Sequence, residues 1–352
     1  MSIALEPSQA AVKALHLAAK SETTGAPRRP IPFYNRRFAA VSFSYFAQKL
    51  LRLLLTVWAA ATLVFIMLRL AGDPVAAMVP SDAPQIVIDR YRARFGLDQP
   101  FFVQYWSYLW GLLQGDFGIS FRTGGPAWDL VAPRIVPTLI LTGTATVIAL
   151  LLGVPAGILA AARRNSWVDR VVMSFSVFGF AMPNFFLGIL LILLFTLNLR
   201  WLPSGGFDYP ISLLMPAVAL GLASAGSYAR LTRSSVLEVL SSPFMRTARA
   251  NGIPPLRRMT HHVLRAMLVP LVTLAGFSIG AMIAGAVVTE TVFAWPGLGR
   301  LLVISVTERD LAVVQLIVIL AAAAMATTNM IVDLLYGWLD PRIGTRRQSG
   351  AK

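Results

Sequence analysis

No cysteine occurs anywhere in the chain, which excludes disulfides and thiolate metal sites. Lysine is nearly as scarce, limited to Lys13, Lys20, Lys49 and Lys352. None of these follows a glycine-rich strand-to-helix turn, so the phosphate-binding loop of a nucleotide-hydrolysing protein cannot be written. Two of the three histidines, His261 and His262, are adjacent and therefore point to different sides of a helix, with no further His or Cys nearby to complete a metal site. The 16 acidic residues form no hydrolytic set with Ser and His. Energy for uphill work must then come from a partner or a gradient, and no cofactor is expected. A secretory leader pattern is also missing. The first apolar run begins only near Leu50 and is expected to remain as an anchor.

What is present is apolar: 56% of the 352 residues, against 13% charged, a balance that fits a membrane protein. Six runs are long enough to cross about 30 Å of hydrocarbon as helices. They are Leu51 to Leu70, Val136 to Ala162, Val171 to Leu199, Ile211 to Ala229, Met267 to Val288 and Leu311 to Leu335. The runs are continuous rather than alternating, which excludes a β-barrel. The net charge of +15 follows loop parity. Residues 1–50 carry seven basic and two acidic residues, 163–170 three and one, 230–265 seven and one, and 336–352 four and one. The loops 72–135, 200–210 and 289–310 are balanced or slightly acidic. This asymmetry predicts both termini in the cytoplasm and explains the positive charge without nucleic acid.

The basic segment from Arg230 to Arg265 contains a short helix with both ends written into it. Ser242 is a predicted cap, Pro243 suits the first helical position, and Gly252 suits the left-handed residue that closes a helix. The rod from Pro243 to Asn251 makes about two and a half turns. Phe244, Ala248 and Asn251 share one face and Arg246, Arg249 and Ala250 another. A rigid rod in a cytoplasmic loop is a handle for a soluble partner.

Elsewhere the tail 1–48 reads as weakly structured, with a short surface helix predicted over Ala10 to Lys20. Arg52 and Arg69 bracket the first span as headgroup anchors. In the long outer loop, Phe101 to Leu113 is aromatic and too short to span, so it is expected at the interface. Gly153 with Gly157, and Gly276 with Gly280, allow close helix approach. Pro183 with Asn184, and Pro216, Gly221 and Gly226, are positions where backbone could open toward a translocation path, although packing explains each one singly. Asp310 is placed to cap the sixth span. Glu290 and Asp333 lie near span ends.

Several separate stretches, in order, resemble the permease subunits of ATP-binding-cassette importers in the dipeptide, oligopeptide and nickel branch. These are Gly115-Asp-Phe-Gly-Ile-Ser-Phe-Arg122, Pro137-Thr-Leu139, Trp201-Leu-Pro-Ser-Gly-Gly206, Arg246-Thr-Ala-Arg-Ala-Asn-Gly252, Glu290-Thr-Val-Phe-Ala-Trp-Pro-Gly-Leu-Gly299 and Asp333-Leu-Leu-Tyr-Gly-Trp-Leu-Asp-Pro-Arg342. The resemblance runs from about Leu50 to Ile343. It implies an all-α membrane protein with six transmembrane helices, the type I importer permease fold, both ends inside and a long first periplasmic loop. It also implies that the loop helix is a coupling helix seated on a cytoplasmic ATPase, with Phe244, Arg246, Thr247, Ala248, Arg249, Asn251 and Gly252 as its contact residues. The family's Glu-Ala-Ala triplet reads Arg246, Thr247 and Ala248 here, so a salt bridge through that glutamate is lost, and the family's closing proline corresponds to Pro270.

By the same resemblance the chain divides into a cytoplasmic tail 1–48, the first span with its large outer loop 49–135, a permease core 136–335 containing the coupling helix 243–251, and a cytoplasmic tail 336–352. The implied partners are a second homologous permease, two ATP-binding-cassette subunits or domains, and an extracytoplasmic solute-binding protein. Short peptides are the expected solute, ahead of nickel. A gradient-driven carrier would instead show repeated halves and intramembrane ionisable residues, and a membrane enzyme a catalytic set facing a cavity.

Overall fold

The computed structural model describes residues 43–70, 75, 84–94 and 96–339. The helix predicted over Ala10 to Lys20, both tails and the end of the Asp333–Arg342 stretch lie outside or partly outside the described residues. Among them, every regular element is helical and the β contact is a single bridge, Ile119 to Pro126.

Helix α1, Phe43–Leu70, carries the first apolar run. Helix α2, Gln85–Arg94, and helix α3, Phe101–Gln114, follow in the long loop after it. No residue of α3 is buried. Its Phe101, Tyr105 and Tyr108 rings gather around Phe65 of α1 at centroid distances of 5.5, 5.5 and 5.2 Å. The opposite edge exposes Phe102, Trp106 and Trp110.

Helix α4, Ala127–Ala162, starts nine residues before the run read from hydropathy and absorbs Pro133, Pro137 and Pro155. The third apolar run is not one rod. Helix α5, Trp167–Ala181, and helix α6, Asn184–Leu191, which continues as a π-helical turn through Asn198, meet at 101°. Met182 before Pro183 is held extended (φ −80°, ψ 125°), the conformation a following proline imposes, and the helix breaks there. Helix α7, Leu214–Ser241, outlasts its apolar run by some three turns. After it come helix α8, Pro243–Ala250, and helix α9, Leu264–Val292, reached through a turn at Pro255–Arg257 and a π-helical turn at Arg258–Val263. The loop rod is therefore not continuous with the fifth span, the helix being interrupted at Asn251–Pro254, and the span bends by 43° between Leu268 and Pro270. Helix α10, Leu298–Thr307, and helix α11, Leu311–Leu339, complete the described chain.

Among the described residues, four helices are individually long and apolar enough to cross a membrane, and two bent pairs qualify when each is taken as one span. In lipid, helices associate through close backbone approach rather than through the hydrophobic effect, and α4 and α7 are written for it. A methyl group on Gly153 would lie 2.6 Å from Tyr228 Cβ, and one on Gly157 would lie 2.6 Å from Thr232 Cβ. Gly157→Leu is accordingly expected to destabilise the α4–α7 pair by about 3 kcal/mol, the upper range for overpacking. The check is the yield of monodisperse protein and its thermal inactivation midpoint, with Leu151→Ala on the exposed face of α4 as the control; wild-type behaviour of the glycine variant would refute the packing account.

Candidate functional site

Helix α8 forms as predicted but is capped differently. The Ser242 side chain makes no capping bond to α8; its Oγ donates instead to Val239 O of the preceding helix at 2.6 Å. A serine hydroxyl can serve either its own helix or the neighbouring carbonyl, and here the carbonyl wins. The C-terminal end follows expectation. Gly252 is left-handed (φ 70°), its N–H bonds Arg249 O at 3.0 Å, and Ile253 N bonds Ala248 O at 3.1 Å. That pair of bonds is the Schellman closure. The helix ends at Ala250, with Asn251 as its cap.

The faces of α8 are divided otherwise than helical spacing led one to expect. Met245 and Ala248 are buried, at 0% and 7% exposure, in the protein's own core with Val236, Val263 and Met267. Ala248 therefore holds the rod to its own bundle and is not presented with Phe244. Phe244, Arg246, Thr247, Arg249, Asn251 and Gly252 are exposed. Arg249 reaches back to Leu240 O at 3.4 Å. The exposed surface of α8 is thus one aromatic ring flanked by guanidinium groups, with no acid between Glu238 and Glu290.

At the other end of α9, three stretches that are far apart in sequence meet. Glu290 is fully buried. It accepts hydrogen bonds from Thr138 Oγ1 at 2.6 Å, Gly299 N at 2.7 Å and Arg300 N at 3.0 Å. Thr138 Oγ1 accepts from Leu298 N at 2.8 Å. The first amides of α10 are therefore satisfied by residues outside that helix, as a helix start in a dry environment requires. Trp295 Nε1 donates to Pro137 O at 3.0 Å, and Gly206 N donates to Phe293 O at 3.0 Å. A methyl on Gly205 would overlap the Phe293 carbonyl group. The Pro137-Thr-Leu, Trp201–Gly206 and Glu290–Gly299 stretches are one structural knot, with Glu290 a capping carboxylate.

Asp310 is buried as well, but not as the cap of α11. Its carboxylate receives Ser120 Oγ, Phe121 N at 3.2 Å and Arg122 N at 3.4 Å, tying the Gly115–Arg122 stretch to the start of α11. Arg122 also pairs with Glu308 at 3.4 Å. Asp333 of α11 pairs with Lys49 of α1.

The proposed path residues separate. Gly226 lies against the Ser176 backbone of α5, and Gly221 against Ala145 and Ile148 of α4, so both are packing positions. Pro183 and Asn184 sit at the 101° break, with Asn184 Nδ2 3.1 Å from where a Gly285 side chain would begin. Hydropathy reading missed Met245 as an anchor, Thr138 as the partner of Glu290, and the buried acid Asp169. The one signal for Asp169 was its position as the lone acid among the basic residues of Arg163–Arg170.

The elements above define a helical membrane protein with a basic rod between two of its apolar helices and a hydrogen-bonded knot at the opposite end of α9. The chain belongs to the binding-protein-dependent transport system inner membrane component family, matched over residues 153–345, and is an importer permease rather than an enzyme. It is 42% identical over 301 residues to the glutathione transport system permease protein GsiC of Escherichia coli K12, covering 85% of this chain and 98% of that one. Identity to the GsiC of Salmonella choleraesuis is 43% over the same length and coverage. Among solved structures, a chain of the MetNI methionine ABC transporter in an inward-facing conformation aligns with a TM-score of 0.51 at 19% identity, covering 60% of this chain and 96% of that one. The chain shares that permease fold.

Proposed function

We propose that this chain is one of two permease subunits of an ATP-driven importer for short peptides, glutathione among them. The observation that carries the solute class is the identity to GsiC across 98% of that relative's length. In this reading two ATPase subunits and an extracytoplasmic binding protein complete the assembly. The chain crosses the membrane six times, counting each bent pair as one span, with both termini in the cytoplasm and the loop 72–135 outside. Its parts are the tail 1–48, the first span and outer loop 49–135, the core 136–335 and the tail 336–352.

Helix α8 is the coupling element. Phe244, Arg246, Thr247, Arg249 and Asn251 meet the ATPase, Ala248 and Met245 secure the rod to the bundle, and Gly252 sets its end. The core that begins at Met245 and Ala248 is continuous with Leu220, Ala286 and Trp295. Displacement of the rod is thereby conveyed through close-packed side chains toward the outer knot. Pro183 and Asn184 mark the hinge beside the path.

Because the offered surface is cationic, the ATPase groove it enters must be acidic. Arg246→Glu combined with Arg249→Glu is expected to reduce ATPase co-purification by at least about tenfold, since like charges brought together at an interface cost several kcal/mol. A detergent pull-down at two salt concentrations, with co-purifying chains identified by mass, checks this. Undiminished ATPase recovery with the reversed charges rejects the docking surface, and uptake of labelled glutathione by the native complex tests the solute class.

A further inference from the structure

Asp169 is 3% exposed, and one guanidinium takes both of its carboxylate oxygens. Arg233 Nε donates to Oδ1 at 2.6 Å and Nη2 to Oδ2 at 2.7 Å. Asn165 N adds a third bond to Oδ2 at 2.9 Å, from a residue in left-handed conformation (φ 63°). A forked pair of this kind fixes orientation as well as distance, which a lysine in place of the arginine could not do.

The location gives the pair its meaning. Asp169 stands in the first turn of α5, where Ser166 Oγ accepts from Asp169 N at 3.3 Å. Arg233 stands on α7 and is eight residues from its last residue, Ser241, or about 12 Å along the axis. Ser242 alone separates α7 from the rod α8. Deeper in the bundle, α5 and α7 touch where Gly226 backs onto Ser176. Further along the same seam Gly179 backs onto Leu222 O and the Arg230 guanidinium lies over the Phe180 ring at 5.5 Å; none of these is a forked hydrogen-bonded pair, so Asp169 and Arg233 supply the directional link between the two helices. At its far end α5 breaks at Met182–Pro183.

We propose that Asp169 and Arg233 are a positioning pair that compels α5 to follow α7 when the rod is displaced, so that the motion is taken up at the Met182–Pro183 hinge. The proposal rests on α8 being the ATPase-docking element.

The test uses the complete importer, with its ATPases, second permease and binding protein, in proteoliposomes. Asp169→Asn and Arg233→Lys are expected to assemble and hydrolyse ATP, while labelled glutathione imported per ATP falls about tenfold, within the range of ordinary coupling free energies. Asp169→Arg combined with Arg233→Asp restores the ratio. The absence of native cysteine allows a second readout independent of the solute, in a complex whose partner chains also lack cysteine. Spin labels at Trp167→Cys and Ser234→Cys, both exposed positions, should keep one separation with and without ATP in the native pair and drift apart in Asp169→Asn. An unchanged import ratio together with an unchanged label separation in the single variants overturns the proposal. So does failure of both single variants to assemble, which would make the pair a folding element only. Failure of the docking reading itself shows differently, as a native chain that recovers no ATPase.

Discussion

Glu290→Ala is expected to lower the stability of the folded protein by about 3 kcal/mol, because it strands two buried donors and one part-buried donor, and a buried donor costs about 1–3 kcal/mol when unmet. Those donors are the Thr138 hydroxyl and the amides of Gly299 and Arg300. Water is kept from the first two, since Glu290 is fully buried, Thr138 is 6% exposed and Gly299 is buried, while the Arg300 amide is part-buried. Loss of the carboxylate also removes the negative charge from the start of α10, where it complements the helix dipole. Glu290→Gln retains an oxygen for the two amides and an amide group that the Thr138 oxygen can accept from, so its effect should be clearly smaller. The measurement is the thermal inactivation midpoint of detergent-purified protein, with the yield of monodisperse material beside it. Equal midpoints for the alanine variant and the native chain would dismiss Glu290 as the organiser of this knot. Equal and large losses for both variants would mean that the charge, rather than the acceptor geometry, is what the site needs.

The ordering Ala worse than Gln matters because it separates two readings of a membrane carboxylate. An acid at a span end can bind a transported cation or proton, as a gradient-driven carrier requires. Here its acceptor sites face protein donors, and its oxygens close off the start of a helix. This geometry favours the ATP-driven reading over the carrier on grounds independent of the relatives.

The sequence makes some of this plain and conceals the rest for identifiable reasons. Apolar runs reveal the spans because the bilayer imposes a minimum length, and Gly252 reveals a helix end because the left-handed conformation is open to few residues. Pro183 signalled a weak point, but not a 101° turn, since the angle depends on what α6 packs against. Ser242 and Asp310 carry the right chemistry for local caps, yet both are engaged by other groups: the hydroxyl by a carbonyl three residues back, the carboxylate by a loop 190 residues earlier. Neither competition can be seen without the fold. The face of α8 was misjudged for a related reason. Periodicity finds apolar positions, but it does not say whether Ala248 turns toward its own bundle or toward a partner. The motifs that define the family proved legible as a group and opaque individually. Only their convergence shows that Thr138, Gly205, Glu290 and Trp295 serve one knot.

At Gly252 energetic cost and functional consequence are expected to diverge most widely. A side chain there would meet no atom within 4 Å, so any penalty comes from the backbone alone. At φ 70° a β-branched residue is strained by roughly 1–2 kcal/mol. That is too little to unfold the protein but enough to favour a different exit from α8. The Schellman bonds from Gly252 N and Ile253 N would then be lost, and with them the anchoring of Ile253 beside Ala248 in the core. The rod would keep its exposed arginines while losing its fixed angle to Pro254 and the turns that lead into α9. Gly252→Val should therefore preserve expression and ATPase association while uptake falls at least about tenfold, a coupling loss of ordinary size. Gly252→Asn supplies the control, because asparagine tolerates the left-handed conformation and should leave transport close to native. Uptake and ATP hydrolysis measured in the same vesicles decide the matter. Native uptake in the valine variant at normal expression would show that the end of the rod need not be held, whereas equal losses in valine and asparagine would assign the requirement to the absence of any side chain at the partner's surface.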